Sequence, residues 1–364
     1  MNCVRSHHSA HFASQNNFEY TRIRRQSQST NVSSRGSIRK VCVTGGTGFI
    51  GSHAVETLLR RGYSVRCLVR PDRATLGWLE GLPVEIVRVS LHDQASLVRM
   101  LDSSDVVVHI AGVTKAKNRK EFFRDNVLAT RNLLEAAVQS GTIGKFVFIS
   151  SLTAAGPSPD GIPLDETAPC RPITSYGASK LEAERLCLSY ADRLQIVVLR
   201  LPAVYGPRDH DILQMFRMVK MGFAPIMGPR EKTLSLAYVT DVAEAIAVAL
   251  ASPHTAGKLY YVSDPEPYTY LHLVDLSARL LNTRVTRVPV PSPVIFALAA
   301  LVQFGNILVN RASVLNIDKV RDLITPAWTC NPSRIYRDLG FQTAVRAEEG
   351  LRITLQWYRE HGWL

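Results

Sequence analysis

Three residues have the types and order that a hydride-transfer site needs: Ser151, Tyr176 and Lys180. Tyr176 and Lys180 stand four apart in "SYGASK", at the start of a segment that continues helically as "LEAERLCLSY". That spacing puts both side chains on one helical face. A phenol titrates near 10, so a base working at neutral pH needs a value about three lower, worth about 4 kcal/mol. A lysine cation beside the phenolate is expected to supply much of that. Ser151 closes the apolar run in "FVFISSLTAAG", where its hydroxyl could hold a substrate oxygen beside Tyr176; Thr153 is the alternative donor. A Tyr-x-x-x-Lys pair alone arises by chance on surface helices, so the reading needs a second motif.

That motif is "KVCVTGGTGFIG", residues 40–51. A strand runs straight into Gly45-x-x-Gly48-x-x-Gly51, and the amphipathic segment "FIGSHAVETLLRRG" follows. Gly45 permits the tight turn, Gly48 lets backbone approach a pyrophosphate, and Gly51 lets helix pack on strand. The phosphates then meet the positive end of the helix. Thr47, Phe49 and Ile50 complete the turn. The second strand ends "VRCLVRPDR". An acid there would accept bonds from a ribose 2′-hydroxyl; Arg70, with Arg73 nearby, suits a 2′-phosphate instead. NADP(H) is therefore the expected cofactor. Asp72 leaves NAD(H) open, although Pro71 is expected to turn the chain away first.

The elements that must position these groups are legible as short apolar runs alternating with helical segments. Strands are predicted near 39–44, 64–69, 84–89, 105–110, 145–150 and 196–201. Helices are predicted near 49–61, 93–102, 121–140, 175–193, 209–221 and 240–252. This alternation implies right-handed βαβ units and a parallel sheet covered on both faces. The fold class expected is α/β, a Rossmann doubly wound parallel sheet with a smaller C-terminal substrate-binding lobe. Residues 38–205 would form the dinucleotide domain and 206–364 the lobe, interleaved near 230–262.

The segments "TGGTGFIG", "DVVVHIAG", "NVLATRNLLEAA", "FISS…AAG", "YGASK", "LRLPAVYGPRD" and "SLAYVTDVAEAI" occur in order. Together they resemble the extended short-chain dehydrogenases, the NAD-dependent epimerase/dehydratase family, closely over 38–252 and loosely beyond. The separation of 25 positions from Ser151 to Tyr176 is similar to the spacing in that group. The resemblance implies that Tyr176 is the general acid/base. It implies that Lys180 binds the nicotinamide ribose and tunes Tyr176, that Ser151 orients the reacting oxygen and that Asn126 supports the site. It further implies that Ala111, Gly112, Pro202 and Val204 line the cofactor, and that two subunits could pair as a homodimer. Ser90 stands where many members carry an Asp near the adenine, which puts that contact in doubt.

Bulk properties exclude other classes. With 46% hydrophobic and 20% charged residues, the chain can bury a sizeable core. Residues 1–40 hold seven Lys/Arg against one acid, Glu19, so half of the net charge of +12 sits there. The remainder is mildly basic, and no nucleic-acid partner is expected. Residues 1–37 read as a disordered basic tail; the composition also suits a transit peptide. Six cysteines without a Cys-x-x-Cys pair predict neither disulfide framework nor metal site, and a reducing, cytoplasmic setting. His109 is expected to be a packed strand residue and Cys170 to be inert. Residues 294–309, "VIFALAALVQFGNILV", span about 24 Å as a helix, short of the roughly 30 Å of a bilayer core. They read as a buried helix near an apolar pocket, with membrane-surface contact as the less favoured alternative.

Among the family's reactions, sugar-nucleotide dehydratases resemble one another in carrying acids just after the hydroxyl residue; here Leu152 and Thr153 follow Ser151. Epimerases commonly show an Arg-Asp pair before "V-x-D"; here Leu234, Ser235 and Leu236 stand instead. "VRCLVR" is similar to the NADPH reductases and hydroxysteroid-type dehydrogenases. The expected activity is hydride transfer between NADP(H) and a small hydroxyl or carbonyl substrate of apolar character. The alternatives are a nucleotide-sugar epimerase with bound NAD and a non-catalytic Rossmann module.

Overall fold

A computed structural model describes residues 38–228, 230–297 and 317–364. The tail 1–37 and most of the 294–309 stretch lie outside the described residues. Seven parallel strands form the central sheet: β1 (Lys40–Thr44), β2 (Ser64–Val69), β3 (Glu85–Arg88), β4 (Val106–His109), β5 (Lys145–Ser151), β6 (Gln195–Leu201) and, after four further short strands introduced below, β11 (Lys258–Tyr261). Their spatial order is 3-2-1-4-5-6-11. The order reverses between β1 and β4, which opens a crevice at the carboxyl ends of those two strands.

The apolar runs become central strands because both faces are covered. On one face Val41, Val43, Val108 and Val147 pack under α1 (Phe49–Arg60) and the helix Val239–Ala251. On the other, Cys42, Val107, Phe146 and Phe148 pack under helices Gln94–Leu101, Ala129–Ser140 and Ser175–Leu188. Lys145, at the start of β5, turns its buried ammonium onto the last carbonyls of helix 239–251, at Ala249 and Leu250. Desolvation lowers its pKa to about 8.

Six strands fall where the sequence predicts them. The seventh, "KLYY", was not anticipated: it is four residues long and joins β6 only after the chain has left the sheet and returned. The predicted helix 121–140 is broken. Arg119–Phe122 is α-helical, Phe123–Leu128 winds as a wider π-turn and α-helix resumes at Ala129. The helix starting at Ser175 stops at Leu188, short of residue 193.

The second lobe is built from short sheets. Ala203–Tyr205 (β7) pairs with Leu236–Tyr238 (β10), and Phe223–Met227 (β8) pairs with Thr286–Val290 (β13). Thr233–Leu234 (β9) lies between Tyr268–Thr269 (β12) and Ala327–Trp328 (β14). Helices Asp211–Lys220, Tyr270–Leu281 and Ala347–Glu360 enclose the lobe's own core around Phe216, Leu273 and Tyr358. Among the described residues no helix is long and apolar enough to cross a membrane.

Candidate active site

The glycine turn sits at the mouth of the crevice. Gly45 has φ +78°, and a Cβ there would lie 2.6 Å from the Ala111 nitrogen. A Cβ on Gly51 would lie 2.0 Å from the Gly45 oxygen, so only glycine lets α1 start this close to the strand. Gly48, in contrast, is exposed. No side chain caps α1, and its first turn carries no acid. The chain thus offers a bare, positive helix end beside exposed Gly112, which is what a pyrophosphate needs. Thr47, Phe49 and Ile50 are half-buried around that opening, and Arg70 leaves the end of β2 with its side chain in solvent.

Thr44 and His109 are neighbours in the β1–β4 register. His109 is buried, and its environment fixes its tautomer. Thr130 donates its hydroxyl to the Asn126 carbonyl at 2.6 Å, so it accepts from His109 Nε2–H at 2.9 Å. Nδ1 must then accept from the Thr44 hydroxyl at 2.7 Å, and Thr44 accepts from the Ala111 amide at 3.2 Å. Burial drives the imidazole pKa down to about 3, with the Lys180 charge adding to it, so the ring stays neutral. His109 is thus more than the packed strand residue expected: it ties the 111–113 loop to the π-turn.

Asn126 is placed by that π-turn. Its Oδ1 accepts from the Val113 amide at 2.8 Å, and its Nδ2 donates to Val113 O and, at 2.9 Å, to Ser179 Oγ. Ser179 passes the connection on by donating to Tyr176 O at 2.7 Å. A π-turn recurs at functional sites because it re-aims one residue without ending the helix.

The structure brings Ser151, Tyr176 and Lys180 together. Ser151 ends β5 and faces Tyr176, and its Oγ also accepts from Thr153 N and Oγ1. Thr174 caps the helix that carries Tyr176 and Lys180 by accepting from the Gly177 amide. Tyr176 rests against Phe122, centroids 6.1 Å apart. Lys180 is buried; its ammonium donates to Ile149 O at 2.6 Å and lies 4.3 Å from the Phe148 ring centre. Burial lowers its pKa to about 8, against the opposing pull of Glu184.

One expectation needs correction. Lys180 was expected to pull the phenol toward neutrality. Instead burial pushes Tyr176 up to about 12, and only the hydrogen bond with Ser151 works the other way. The ammonium donates to Ile149 O and lies over the Phe148 ring instead.

Sequence reasoning missed a second stripe on the same helix. Glu184 continues the spacing Tyr176, Lys180, and makes a buried two-pronged pair with Arg200 at 2.9 and 2.7 Å. Ser150 also donates to Glu184, and Arg200 reaches the Tyr261 hydroxyl and Cys170 Sγ. The four-residue spacing was the available signal. Replacing Glu184 by Leu leaves Arg200 buried and unpaired, so unfolding in urea should show a loss of about 3–5 kcal/mol. A loss under ~1 kcal/mol would mean that the pair is solvated.

The sequence profile of the NAD dependent epimerase/dehydratase family matches residues 41–263. The chain belongs to this family. It is a nicotinamide-dependent enzyme of the extended short-chain dehydrogenase type, the group whose members act on hydroxyl and carbonyl groups. It is 30% identical over 327 residues to a ceramide reductase of Caulobacter vibrioides, a match covering 89% of this chain and 96% of the relative. It is also 30% identical over 322 residues to the 4-hydroxy-2-methyl-3-oxo-4-farnesyl-3,4-dihydroquinoline-1-oxide ketoreductase of Stigmatella aurantiaca, covering 85% of this chain and 93% of the relative. Among solved structures, MoeE5 in complex with UDP-glucuronic acid and NAD superposes with a TM-score of 0.70 at 25% identity, over 88% of this chain and 99% of that one.

Proposed function

We propose that this family member is an NADP(H)-dependent reductase of apolar ketones or aldehydes in which Tyr176 protonates the carbonyl oxygen. The observation that carries the reading is the pairing of Tyr176 with Ser151 at the carboxyl end of β5, where both hydroxyls would meet one carbonyl oxygen. Burial favours the protonated phenol, the form that would give its proton to that oxygen as hydride arrives. Bound NADPH would supply the hydride. Ser151 would hold the carbonyl oxygen against Tyr176, Lys180 would reach the nicotinamide ribose, and Asn126 would hold the 111–113 loop where the cofactor passes. Arg70 would meet the 2′-phosphate: its only ionic contact among the described residues, with Asp72 at 3.6 Å, is exposed and too weak to withhold it.

What surrounds the site supports an apolar substrate class. Leu152 is buried and Thr153 is engaged with Ser151, so no acid stands ready for dehydration. Where a sugar-nucleotide epimerase would show charge, Ser235 and Leu236 are buried, and Ser235 is occupied by the Cys330 amide. The two relatives named above are reductases by name, one of a ceramide and one of a farnesyl-bearing 3-oxo compound. An NAD-retaining epimerase remains the second reading, favoured by the likeness to MoeE5 bound to NAD. Incubation with NADPH and a panel of long-chain ketones and aldehydes should give carbonyl-dependent loss of absorbance. No oxidation with any of them sinks the proposal.

Lys180 sets the expected pH response. Its folded pKa is lowered, so the ammonium is present below about 8 and lost above it. The kcat/KM for reduction should be flat toward acid and fall roughly tenfold per pH unit above that point. Lys180→Arg, which keeps its charge, should abolish the fall at the cost of a lower plateau. A profile that rises above pH ~8 would remove Lys180 from this role.

A further inference from the structure

The sheet of β8 and β13 has two unlike faces. Ala224 is buried and Arg287 reaches Asp275 at 2.8 Å, both toward helix Tyr270–Leu281. The alternating residues Phe223, Met227, Val288 and Val290 therefore point the other way. One end of this outer face is covered: Met227 and Val290 pack against Ile295, Val320 and Ile324. The other end is bare. Met221 is 68% exposed, Val288 41% and Phe223 36%, and Val294 beside the covered end is 47% exposed. Large apolar side chains grouped this way mark a contact surface rather than scattered exposure.

The rim of this patch is cationic. Lys220 precedes Met221, Arg217 lies one turn back and Arg284 stands two residues before β13; all three are exposed, with Arg217 and Lys220 donating to the backbone oxygens of Trp363 and Leu364. Arg279 and Arg284 line a shallow depression of about 500 Å³ beside it. Asp275 is the acid found in that depression, and it is already paired with Arg287. Apolar side chains ringed by cations match a bilayer whose headgroups are anionic.

The patch is also joined to the catalytic helix. Helix Ile317–Ile324 packs Val320 and Ile324 on its covered end. The same helix sends Asp318 to accept from the Ser175 amide at 2.8 Å, one residue before Tyr176. Eight helical residues span about 12 Å, so the docking face and the reacting phenol belong to one neighbourhood.

We propose that the outer face of the β8–β13 sheet, through Met221, Phe223, Val288 and Val294 with their arginine and lysine rim, docks on an anionic lipid bilayer. The enzyme would there take up an apolar carbonyl substrate carried by the membrane. The uptake half rests on the reductase reading above; the docking half does not. The test is co-sedimentation of the full chain with phosphatidylcholine vesicles, with and without phosphatidylglycerol, beside the double variant Met221→Glu, Val288→Glu. Both positions are exposed and outside the catalytic machinery, so thermal stability and NADPH binding serve as folding controls. Wild type should bind the phosphatidylglycerol vesicles in a salt-sensitive way, and the variant roughly tenfold more weakly. Equal binding by both proteins would assign any attraction to another part of the chain and overturn the proposal, as would no binding by either. Loss of a self-associated state in the variant without vesicle binding would make the face a protein interface, and would overturn it too. Sedimentation needs no turnover, so a failure of docking is separable from a failure of the reductase reading.

Discussion

Tyr176→Phe should lower kcat for carbonyl reduction by roughly a thousandfold while leaving the fold and NADPH affinity almost unchanged. The ring packs against Phe122, a contact that phenylalanine reproduces, so the hydroxyl alone is removed. With it goes the acid that would protonate the carbonyl oxygen as hydride arrives. Ser151 is poorly placed to take over, because its Oγ is engaged by Thr153 N and Oγ1. Single-turnover oxidation of NADPH, followed with a thermal melt of the same sample, checks this. A variant within tenfold of wild type would show that the proton comes from elsewhere.

The second large effect is expected at the glycine turn. In Gly51→Ala the new methyl would lie 2.0 Å from the Gly45 oxygen and 2.7 Å from its carbonyl carbon. Both are backbone atoms, so no rotamer change relieves the clash. Either α1 moves off the strand or the turn opens. The crowding should cost about 1–3 kcal/mol of stability. NADPH binding, which needs the turn and the helix end in register, should weaken by about a hundredfold. Gly144→Ala is the control, because a Cβ there meets nothing within 4 Å. Urea unfolding and a fluorescence titration with NADPH read the two effects. Unchanged NADPH affinity in Gly51→Ala would take the phosphates away from this turn.

The parts that were legible in the sequence are those whose cause is local. Val106–His109 and Lys145–Ser151 are buried on both faces, so each reads as an unbroken apolar run. Gly45, Gly48 and Gly51 announce the turn because a backbone clash excludes any other residue at two of the three. Lys258–Tyr261 escaped notice: as an edge strand it mixes Lys258 with tyrosines and shows no run. The π-turn at Phe123–Leu128 leaves no periodic signature, since one widened turn hardly disturbs helical spacing. Asp318 on Ser175 joins positions 143 apart, and nothing near either residue points to the other. The charge on Lys180 was legible but its direction was not. The Phe148 ring and the Ile149 carbonyl, supplied by another strand, decide where the ammonium goes.

The central claim is an enzyme that takes up NADPH afresh in each turnover, and the nucleotide it carries tests this most directly. Purified protein would be desalted, denatured and its released nucleotide identified by mass spectrometry, with NADPH and NADH affinities measured on the desalted sample. The result expected is protein free of nucleotide that binds NADPH more tightly than NADH. Near-stoichiometric retained NAD(H) would contradict it, since an enzyme that returns its hydride to the same substrate must keep its cofactor, and Arg70 would then have no 2′-phosphate to meet.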